Sequence, residues 1–519
     1  MSASHLPSSS GPSSFGSSSV PELSVLRERL ARAGQSHLLN FYDRLDAAGQ
    51  RSLLTQIASL DLEVLPRLVE AYVKQKPAFA LASDVKPAPY FPRKASQADG
   101  MTRLRHDEAK ARSAGEALLS AGKVGAFVVA GGQGSRLGFE GPKGCFPAGA
   151  VTGKSLFQGF AEQLLAAERR YGRPVPWYVM TSPLNHSATV AFFEKHSFFG
   201  LSSRNVMFFP QGVLPSLDIS SGKVLLAGPG EIATNPDGHG GSIKALQASG
   251  ALADMQRRRV EHLSYFQVDN PHVRILDPVF LGLHASAPES SREMSSKMIP
   301  KAYAEEKLGV FCAVPAADGQ GSAANAGSKT NSKIVVIEYS DLPAALQAEK
   351  LADGTLRFLA GSIAIHVISV EFIHRMNHDP AFDLPYHRAE KKIPCIDPQT
   401  GDPITPASNN GVKLERFVFD ALDFCTGSIL YETDRLEEFA PIKNATGVDS
   451  VESSKQLQTE RAARWLEAAG VSVPRTSDHQ PDCVLEISPL TAMDASELAA
   501  RLASDLKGLK IARGERRAI

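Results

Sequence analysis

The residues with the clearest potential for chemistry form a glycine-rich segment with two cations. Ala130–Gly138 reads AGGQGSRLG, and Lys143 follows in FEGPKG. Glycines allow the backbone to approach a ligand closely and leave its amide groups free to donate hydrogen bonds. Arg136 offers a planar fork and Lys143 a compact charge, and both suit phosphate oxygens. Because seven positions separate them, the two cations can hold a triphosphate from two sides.

Two familiar nucleotide-binding patterns do not match this segment. Gly132, Gly134 and Gly138 give G-x-G-x-x-x-G, which is one residue longer than the dinucleotide fingerprint, and nearby prolines prevent the helix it requires. This spacing weighs against a nicotinamide oxidoreductase. A Walker loop needs G-x-x-x-x-G-K-[ST], whereas Lys143 follows proline and precedes glycine. The pattern that fits is the nucleotidyltransferase loop, G-G-x-G-[ST]-R-L followed by P-K.

A buried strand, a loop and a helix are predicted to position this segment. VGAFVVA, from Val124, is a short apolar run that ends at the glycines, and SLFQGFAEQLLAAE begins a helix near Ser155. Similar apolar runs predict further buried strands at Trp177–Thr181, Val206–Phe209, Leu263–Val268, Gly309–Val314 and Lys333–Tyr339. The chain is therefore predicted to be α/β, with a mostly parallel sheet covered by helices on both faces.

Changes in pattern divide the chain into four predicted parts. Residues 1–21 are Ser-rich and uncharged, which favours a disordered tail over an Arg-rich transit peptide. Residues 22–117 are predicted to form a helical N-terminal domain, 118–445 the catalytic domain and 446–519 a small α/β C-terminal domain. The small, polar stretch at 316–332 is predicted to be a surface insertion.

Composition excludes several classes of function. The chain has 56 basic and 56 acidic residues and a pI near 7.2, which argues against a nucleic-acid partner bound through bulk charge. No apolar stretch approaches the length of a bilayer span, so we expect no membrane partner. Five scattered cysteines without a C-x-x-C pair are typical of a reducing compartment, which predicts a cytoplasmic protein.

The sequence resembles the eukaryotic-type UDP-sugar pyrophosphorylases, most closely their UDP-N-acetylglucosamine branch. The resemblance extends over some 320 residues in the order of the family. Beyond the glycine loop it is carried by WYVMTS, FFPQGVLP, NPDGHGG, QVDNP, IEYSDLP, AGSIAIH, KKIP, NGVKLERFVFD and PIKNA. It implies a Rossmann-like sheet of the nucleotidyltransferase, or glycosyltransferase-A-like, type.

The resemblance also implies roles at the nucleotide end of the site. The glycine loop would hold uridine and its phosphates, Gln211 would lie beside uracil, and Asp269 would bind Mg²⁺ or Mn²⁺ near the phosphates. Arg136, Lys143 and Lys443 match the catalytic cations. The other implied nucleotide contacts are Ala130, Gly131, Gly132, Gly238 and Lys413, with Lys391 and Lys392 as electrostatic background.

Four residues match the sugar end of the family's site, and two of them depart from the N-acetylglucosamine pattern. Glu338 and Tyr339 match a substrate-binding pair. His239 replaces an asparagine of G-N-G-G and resembles the G-H-G of UDP-glucose and broad-specificity enzymes. Ser362 replaces the asparagine of A-G-N. Transfer of a uridylyl group is therefore expected, whereas the sugar stays open.

The implied reaction joins UTP and a sugar 1-phosphate, with N-acetylglucosamine 1-phosphate as the first choice, and releases pyrophosphate. The sugar phosphate would attack the α-phosphorus in line, without a covalent protein intermediate. Glucose or galactose 1-phosphate is the alternative substrate, and a catalytically silent nucleotide-sugar sensor is the non-enzyme alternative. We expect a monomer or a weak homo-oligomer.

Overall fold

The chain consists of two compact units. The structure, a computed structural model, describes residues 22–76, 81–82, 84–315, 332–379 and 382–519. The first unit combines residues 1–78, 213–235 and 388–414, and the second combines residues 79–212, 236–387 and 415–519. The predicted tail at 1–21 and nearly all of the predicted insertion at 316–332 lie outside the described residues. The predicted four-part division of the chain stays a prediction.

The first unit is built from short helices and short strands. Helix Leu23–Arg32 buries Leu26 and Leu30, because residues four apart share one face. The side chain of Asp46 caps the next helix by accepting the Gly49 N–H at 2.7 Å. The helices are Leu23–Arg32, Ala47–Ser59 and Leu65–Leu68, the last continuing as a π-helix over Val69–Lys74. The strands within or at the limits of this unit are Val213–Pro215, Leu217–Asp218, Leu226–Gly228, Glu231–Ile232, Thr234–Pro236, His387–Lys391, Cys395–Ile396, Pro403–Ile404 and Gly411–Glu415.

A ten-stranded sheet forms the centre of the second unit. Its strands are β1 Lys86–Pro87, β2 Val124–Val129, β3 Trp177–Thr181, β4 Val206–Pro210, β5 His262–Gln267, β6 Met294–Pro300, β7 Val310–Pro315, β8 Ser332–Ile337, β9 Ala360–Ser369 and β10 Leu430–Glu432. The main path runs β1-β7-β9-β5-β2-β3-β4, while β8 pairs with β7 and β6 lies between β9 and β10.

Strands β5, β2, β3 and β4 are parallel and form the part of the sheet that matters for the site. Strand β9 joins β5 antiparallel, and β7 extends this antiparallel side. Strands buried on both faces need continuous apolar sequence, which is why VGAFVV and WYVMT contain no polar alternation. The α/β class and the predicted strands are confirmed, although β8 ends at Ile337 and leaves Tyr339 in the following turn.

Helices cover this sheet, and their ends follow from local chemistry. In Leu156–Tyr171, the Ser155 hydroxyl accepts the Gln158 N–H at 3.1 Å, and Gly172 ends the helix at φ +70°. The other helices are Glu108–Ser120, His186–Lys195, Ser242–Ala248, Ala251–Arg258, Pro278–Ser286, Ala344–Ala348, Val370–His378, Arg435–Glu438, Val451–Ala468 and Ala495–Ala503. Within the described ranges, no helix has the length and apolar character needed to cross a membrane.

The last seventy residues of the second unit pack around a small core of their own. Trp465 and Leu466 of the long helix meet Leu485 and Leu498 there. Strand Val484–Glu486 pairs in parallel with Arg516–Ala518. This part of the chain also contains the helix Ala495–Ala503.

Candidate active site

The site begins where the parallel strands end, since the carboxyl ends of parallel strands meet at one edge of a sheet. The glycine loop follows β2, Gln211 follows β4 and Asp269 follows β5. The Ala130 N–H donates to the Met180 carbonyl at 2.7 Å, which fixes the start of the loop. The Lys143 N–H donates to the Gly132 carbonyl at 3.0 Å, so the loop folds back and brings Lys143 beside its own glycines.

Asn185, which sequence reasoning missed, ties this loop to the end of β3. Its side chain is completely buried. The Asn185 Nδ2 donates to the carbonyls of Ala130 and Gly132 at 3.0 and 3.2 Å, and its Oδ1 accepts the Ser182 N–H at 2.8 Å. The asparagine in TSPLN, four residues after the strand, was the available signal.

Gln211 packs directly against the glycine loop. Its side chain is 8% exposed, and its N–H donates to the Thr181 carbonyl at 2.8 Å. A Cβ added at Gly131 would lie 3.1 Å from Gln211 Oε1 and 3.3 Å from its Nε2. The glycine therefore leaves room for an amide that offers both a donor and an acceptor, as a uracil edge requires.

Three cations and one carboxylate converge near the loop. Lys143 Nζ lies 3.9 Å from Asp269 Oδ2, and both side chains are about 85% buried, with exposures of 15% and 16%. Burial lowers the pKa of Lys143, and the charges of Lys443 and Arg136 lower it further, while Asp269 opposes the shift. The structure thus brings the three predicted catalytic cations within electrostatic reach of one another.

The segment that carries Lys443 is fixed to the loop after β5. The Ile442 N–H donates to the Asp269 carbonyl at 2.8 Å, and Asn270 Nδ2 donates to the Glu438 carbonyl at 2.6 Å. Lys443 Nζ lies 3.2 Å from Asp449 Oδ2 and over the ring of Phe439. The neighbouring carboxylate and ring hold the lysine near Asp269 without burying it.

A cavity of about 280 Å³ opens beside this cluster. Its lining includes Asp269 and Lys443 together with three predicted sugar-binding residues, His239, Glu338 and Ser362. Sequence reasoning missed other members of the lining, namely Gln267, Lys307, Phe419 and Phe439. The predicted phosphate and sugar ends of the site therefore share one cavity.

His239 is held as a neutral ring. Its Nδ1 accepts the Val418 N–H at 3.1 Å, and its ring stacks on Phe417 at 5.1 Å. Burial, with a smaller contribution from the charge of His387, lowers the pKa of His239 to about 4. Because Nδ1 is the acceptor, the proton of the neutral ring lies on Nε2, which is a hydrogen-bond donor.

Glu338 lines the same cavity in an acidic environment. Burial raises the pKa of Glu338, Asp341 and Asp420 raise it further, and His387 opposes them. A Cβ on Gly309 would lie 3.2 Å from Glu338 Oε1, so this glycine also makes room for a site residue. The carboxylate can accept two hydroxyl groups when it is ionised.

Gly238 occupies a position that only glycine fits. Its φ is +85°, and an added Cβ would lie 2.4 Å from the Arg416 carbonyl oxygen. The preceding Asp237 is wedged between Gly212 and Gly241, whose added Cβ atoms would meet its carboxyl at 2.5 and 2.1 Å. Burial raises the pKa of Asp237 to about 7, against the opposing charge of Arg416.

Several predicted residues do not line this cavity. Those of the glycine loop and of the neighbouring loops are Ala130, Gly131, Gly132, Arg136, Lys143, Gln211 and Gly238. Lys391, Lys392 and Lys413 belong to the first unit. Tyr339 has a side chain that is 38% exposed and is absent from the cavity lining. Their roles stay predictions.

The side chains at this site are compatible with a divalent cation that is bound mainly by phosphates and water. Within the described ranges, no group of three or more His, Cys, Asp or Glu side chains is arranged to hold a metal. Asp269 supplies one carboxylate between two lysines at the cavity wall. Mg²⁺ commonly binds through one or two carboxylates together with phosphates and water, so Asp269 is compatible with that role.

The glycine loop, the buried amide of Gln211 and the cation cluster lie together at the ends of the parallel strands. This arrangement is typical of nucleotidyltransferases, which move a nucleotide between phosphate groups. Comparison with known proteins narrows the class. The chain belongs to the family described as UTP--glucose-1-phosphate uridylyltransferase, which it matches over residues 81–464.

Relatives span nearly the whole chain. UDP-N-acetylglucosamine diphosphorylase 2 of Arabidopsis thaliana is 34% identical over 92% of this chain and 91% of its own. UDP-N-acetylglucosamine pyrophosphorylase of Saccharomyces cerevisiae is 32% identical over 86% of this chain and 92% of its own. The crystal structure of uridine diphosphate N-acetylglucosamine pyrophosphorylase from Trypanosoma brucei, in complex with an inhibitor, has a TM-score of 0.75 at 26% identity and covers 97% of this chain and 99% of that chain.

Proposed function

We propose that the chain transfers the uridylyl group of UTP to N-acetylglucosamine 1-phosphate, forming the UDP-sugar and pyrophosphate. The observation that carries this proposal is the shared cavity, in which Asp269 and Lys443 adjoin Glu338, His239 and Ser362. The names of the relatives at 32–34% identity support the same sugar.

The reaction proceeds by positioning and charge neutralisation. An oxygen of the sugar phosphate attacks the α-phosphorus in line; that O–P bond forms as the bond to the β-phosphate oxygen breaks and pyrophosphate leaves. Arg136, Lys143 and Lys443 stabilise the negative charge that spreads over the phosphate oxygens. Gln211 and the Gly131 backbone orient the base, which keeps the α-phosphorus beside Lys143.

A divalent cation, Mg²⁺ or Mn²⁺, is part of the proposal. Asp269 would hold it together with UTP phosphates and water, and the ion would supply additional neutralisation of phosphate charge. Independently of the ion, Lys143 beside Asp269 is desolvated, so its charge acts at short range on any phosphate that enters.

His239 and Ser362 favour a second candidate substrate. The Nε2–H of His239 and the Ser362 hydroxyl are donors at positions where the N-acetylglucosamine enzymes carry asparagines, and a glucose or galactose hydroxyl can accept from either group. A broad UDP-sugar pyrophosphorylase is therefore the alternative. We also propose a cytoplasmic monomer or weak homo-oligomer, in keeping with five free cysteines.

Pyrophosphate release with UTP and Mg²⁺ tests the proposal. N-acetylglucosamine, glucose and galactose 1-phosphates are compared at equal concentration, and we expect the highest kcat/KM with the N-acetyl sugar. Lys143→Met should lower kcat about 10²–10³-fold, as the loss of one preorganised charged donor does, while Lys110→Met on an exposed helix face should have no effect. Near-normal turnover in Lys143→Met would refute the assigned chemistry, and preference for glucose would establish the alternative sugar.

A further inference from the structure

A second cavity lies in the second unit, on the other side of the loop that carries Asp269. Its volume is about 440 Å³, which exceeds that of the catalytic cavity. We call it the rear cavity and define it by Arg112, Arg170, His272, Arg274, Arg461 and Trp465, which all line it. The proposed function uses none of these residues.

Cations and carboxylates line the rear cavity in nearly equal number. Six Arg or Lys and five Asp or Glu side chains line it. Two of the carboxylates, Asp277 and Glu438, are bound from behind by the completely buried Lys297, at 2.7 and 2.5 Å. Other carboxylates outside the lining also pair with these cations, namely Asp434 with Arg93 at 3.0 Å, and Glu116 and Glu497 with Arg170 at 3.6 and 3.9 Å. The charges around the cavity are therefore nearly balanced, and an anionic ligand would depend on a cation that has no such partner.

Arg461 is a lining cation without an ion-pair partner among the described residues, although its guanidinium lies over the Trp465 ring at 5.3 Å. Within the described residues, no carboxylate oxygen lies within 4 Å of its guanidinium, and its one hydrogen bond runs from Nη1 to the Glu437 carbonyl at 3.1 Å. Burial lowers the pKa of Arg461 to about 10, although Glu437 and Glu438 oppose the shift. A partly buried guanidinium without an ion-pair partner lacks a neutralising charge, and a bound anion would supply that partner.

His272 is a second unsatisfied group in this lining. Its side chain is 1% exposed, and within the described chain neither ring nitrogen meets hydrogen-bond geometry. Burial lowers the pKa of His272, the charge of Arg461 lowers it further, and the Leu436 backbone opposes the shift in part. Neutral His272 therefore offers one more polar group to a ligand, in the same lining as Arg461, whose guanidinium lies over the Trp465 ring.

The wall of the rear cavity is continuous with that of the catalytic cavity. Val273 lines both cavities. The Ala440 N–H donates to Asn270 Oδ1 at 3.1 Å, and Asn270 Nδ2 donates to the Glu438 carbonyl at 2.6 Å. These contacts connect both wall segments to the loop that carries Asp269.

We propose that the rear cavity is a regulatory site for a small phosphate monoester of sugar-like size, and that its occupancy changes turnover at the Asp269 site. The phosphate binds the guanidinium groups of Arg461 and its arginine neighbours, which have the fork geometry that phosphate oxygens match. The remainder of the ligand lies beside His272. The two sites are coupled because Val273 lines both cavities.

Calorimetry on the full chain tests this site, with glucose 6-phosphate as the probe and glucose as its uncharged control. We expect glucose 6-phosphate to bind with a Kd below about 1 mM and glucose not to bind. Arg461→Gln should weaken the probe at least about tenfold. Lys143→Met, which alters the catalytic site, should leave probe affinity unchanged.

A second pair of variants covers the case in which Arg461→Gln folds poorly. Arg170→Gln should also weaken the probe, whereas Arg169→Gln, its exposed neighbour outside the cavity lining, should not. In steady-state assays the probe should change kcat of the wild type but not of the lining variants. Absence of binding, or binding that is lost in Lys143→Met and retained in the arginine variants, overturns the proposal.

Discussion

Replacement of Asn185 by alanine tests whether a single buried amide holds the nucleotide loop. Asn185 is completely buried, and its three hydrogen bonds join the end of β3 to the carbonyls of Ala130 and Gly132. The variant removes this connection, and Asn185 itself is assigned no contact with a substrate. A change in the stability or the UTP binding of this variant is therefore due to the loss of these hydrogen bonds to the loop.

The magnitude follows from the three contacts. Truncation leaves the Ala130 and Gly132 carbonyls and the Ser182 N–H without their partner. At about 1 kcal/mol for each net hydrogen bond, the free energy of unfolding should fall by about 3 kcal/mol. If half of that loss falls on the loop conformation that binds UTP, the KM for UTP should rise about tenfold, since 1.4 kcal/mol is a factor of ten.

Urea denaturation and pyrophosphate-release kinetics measure the two effects in one preparation. Leu184→Ala is the matched control, because this side chain lies in the same turn, is 82% exposed and makes no polar contact. We expect Leu184→Ala to behave as wild type in both assays. The reasoning is refuted if Asn185→Ala unfolds as the wild type does, or if its KM for UTP is unchanged.

Three further predictions concern the loop and the sugar wall. Gly131→Ala should raise the KM for UTP, because the added Cβ meets the Gln211 side chain at 3.1–3.3 Å. Gly132→Ala, whose added Cβ is 3.9 Å from the nearest atom, should raise this KM less. An equal rise in both variants would contradict a role for Gln211. Glu338 has a raised pKa, so as the pH falls its carboxylate becomes protonated at a pH above the ordinary Glu value of about 4.3. The ionised acceptor is then lost, and kcat/KM for the sugar 1-phosphate should fall in that pH range. Glu338→Gln should lose this acid limb; its persistence would assign the limb to another group. His239→Asn should increase preference for the N-acetyl sugar over glucose, measured as a ratio of kcat/KM values.

The strand, the glycine loop and its cations could be predicted from the sequence because local rules determine them. A continuous apolar run buried on both faces indicates a parallel strand, and the bare glycines after it mark a turn that admits a ligand. Ser155 and Gly172 set the limits of the next helix through capping and a positive φ. The structure of residues 124–172 is therefore determined mainly by their own local sequence.

Long-range contacts set the rest of the site, and no local pattern encodes them. Asn185 is indistinguishable from an ordinary turn asparagine until β3 is placed beside β2. Gly212 and Gly241 are 29 positions apart, and only the structure shows that the carboxyl of Asp237 separates them. Tyr339 was placed with Glu338 by a shared motif, yet β8 ends before both residues and the tyrosine side chain is 38% exposed.

The loop after β5 shows how one short segment can serve two cavities. Asp269 faces the catalytic cavity, His272 faces the rear cavity, and Val273 lines both. Three hydrogen bonds join this loop to the segment 438–442, and we expect a ligand beside His272 to act on the carboxylate through this connection. The distance of 3.9 Å between Lys143 Nζ and Asp269 Oδ2 is too long for a tight ion pair. The two side chains can therefore shift relative to each other. Rear-cavity occupancy should therefore act first on this pair, and through it on kcat, before it alters the base contacts at Gln211.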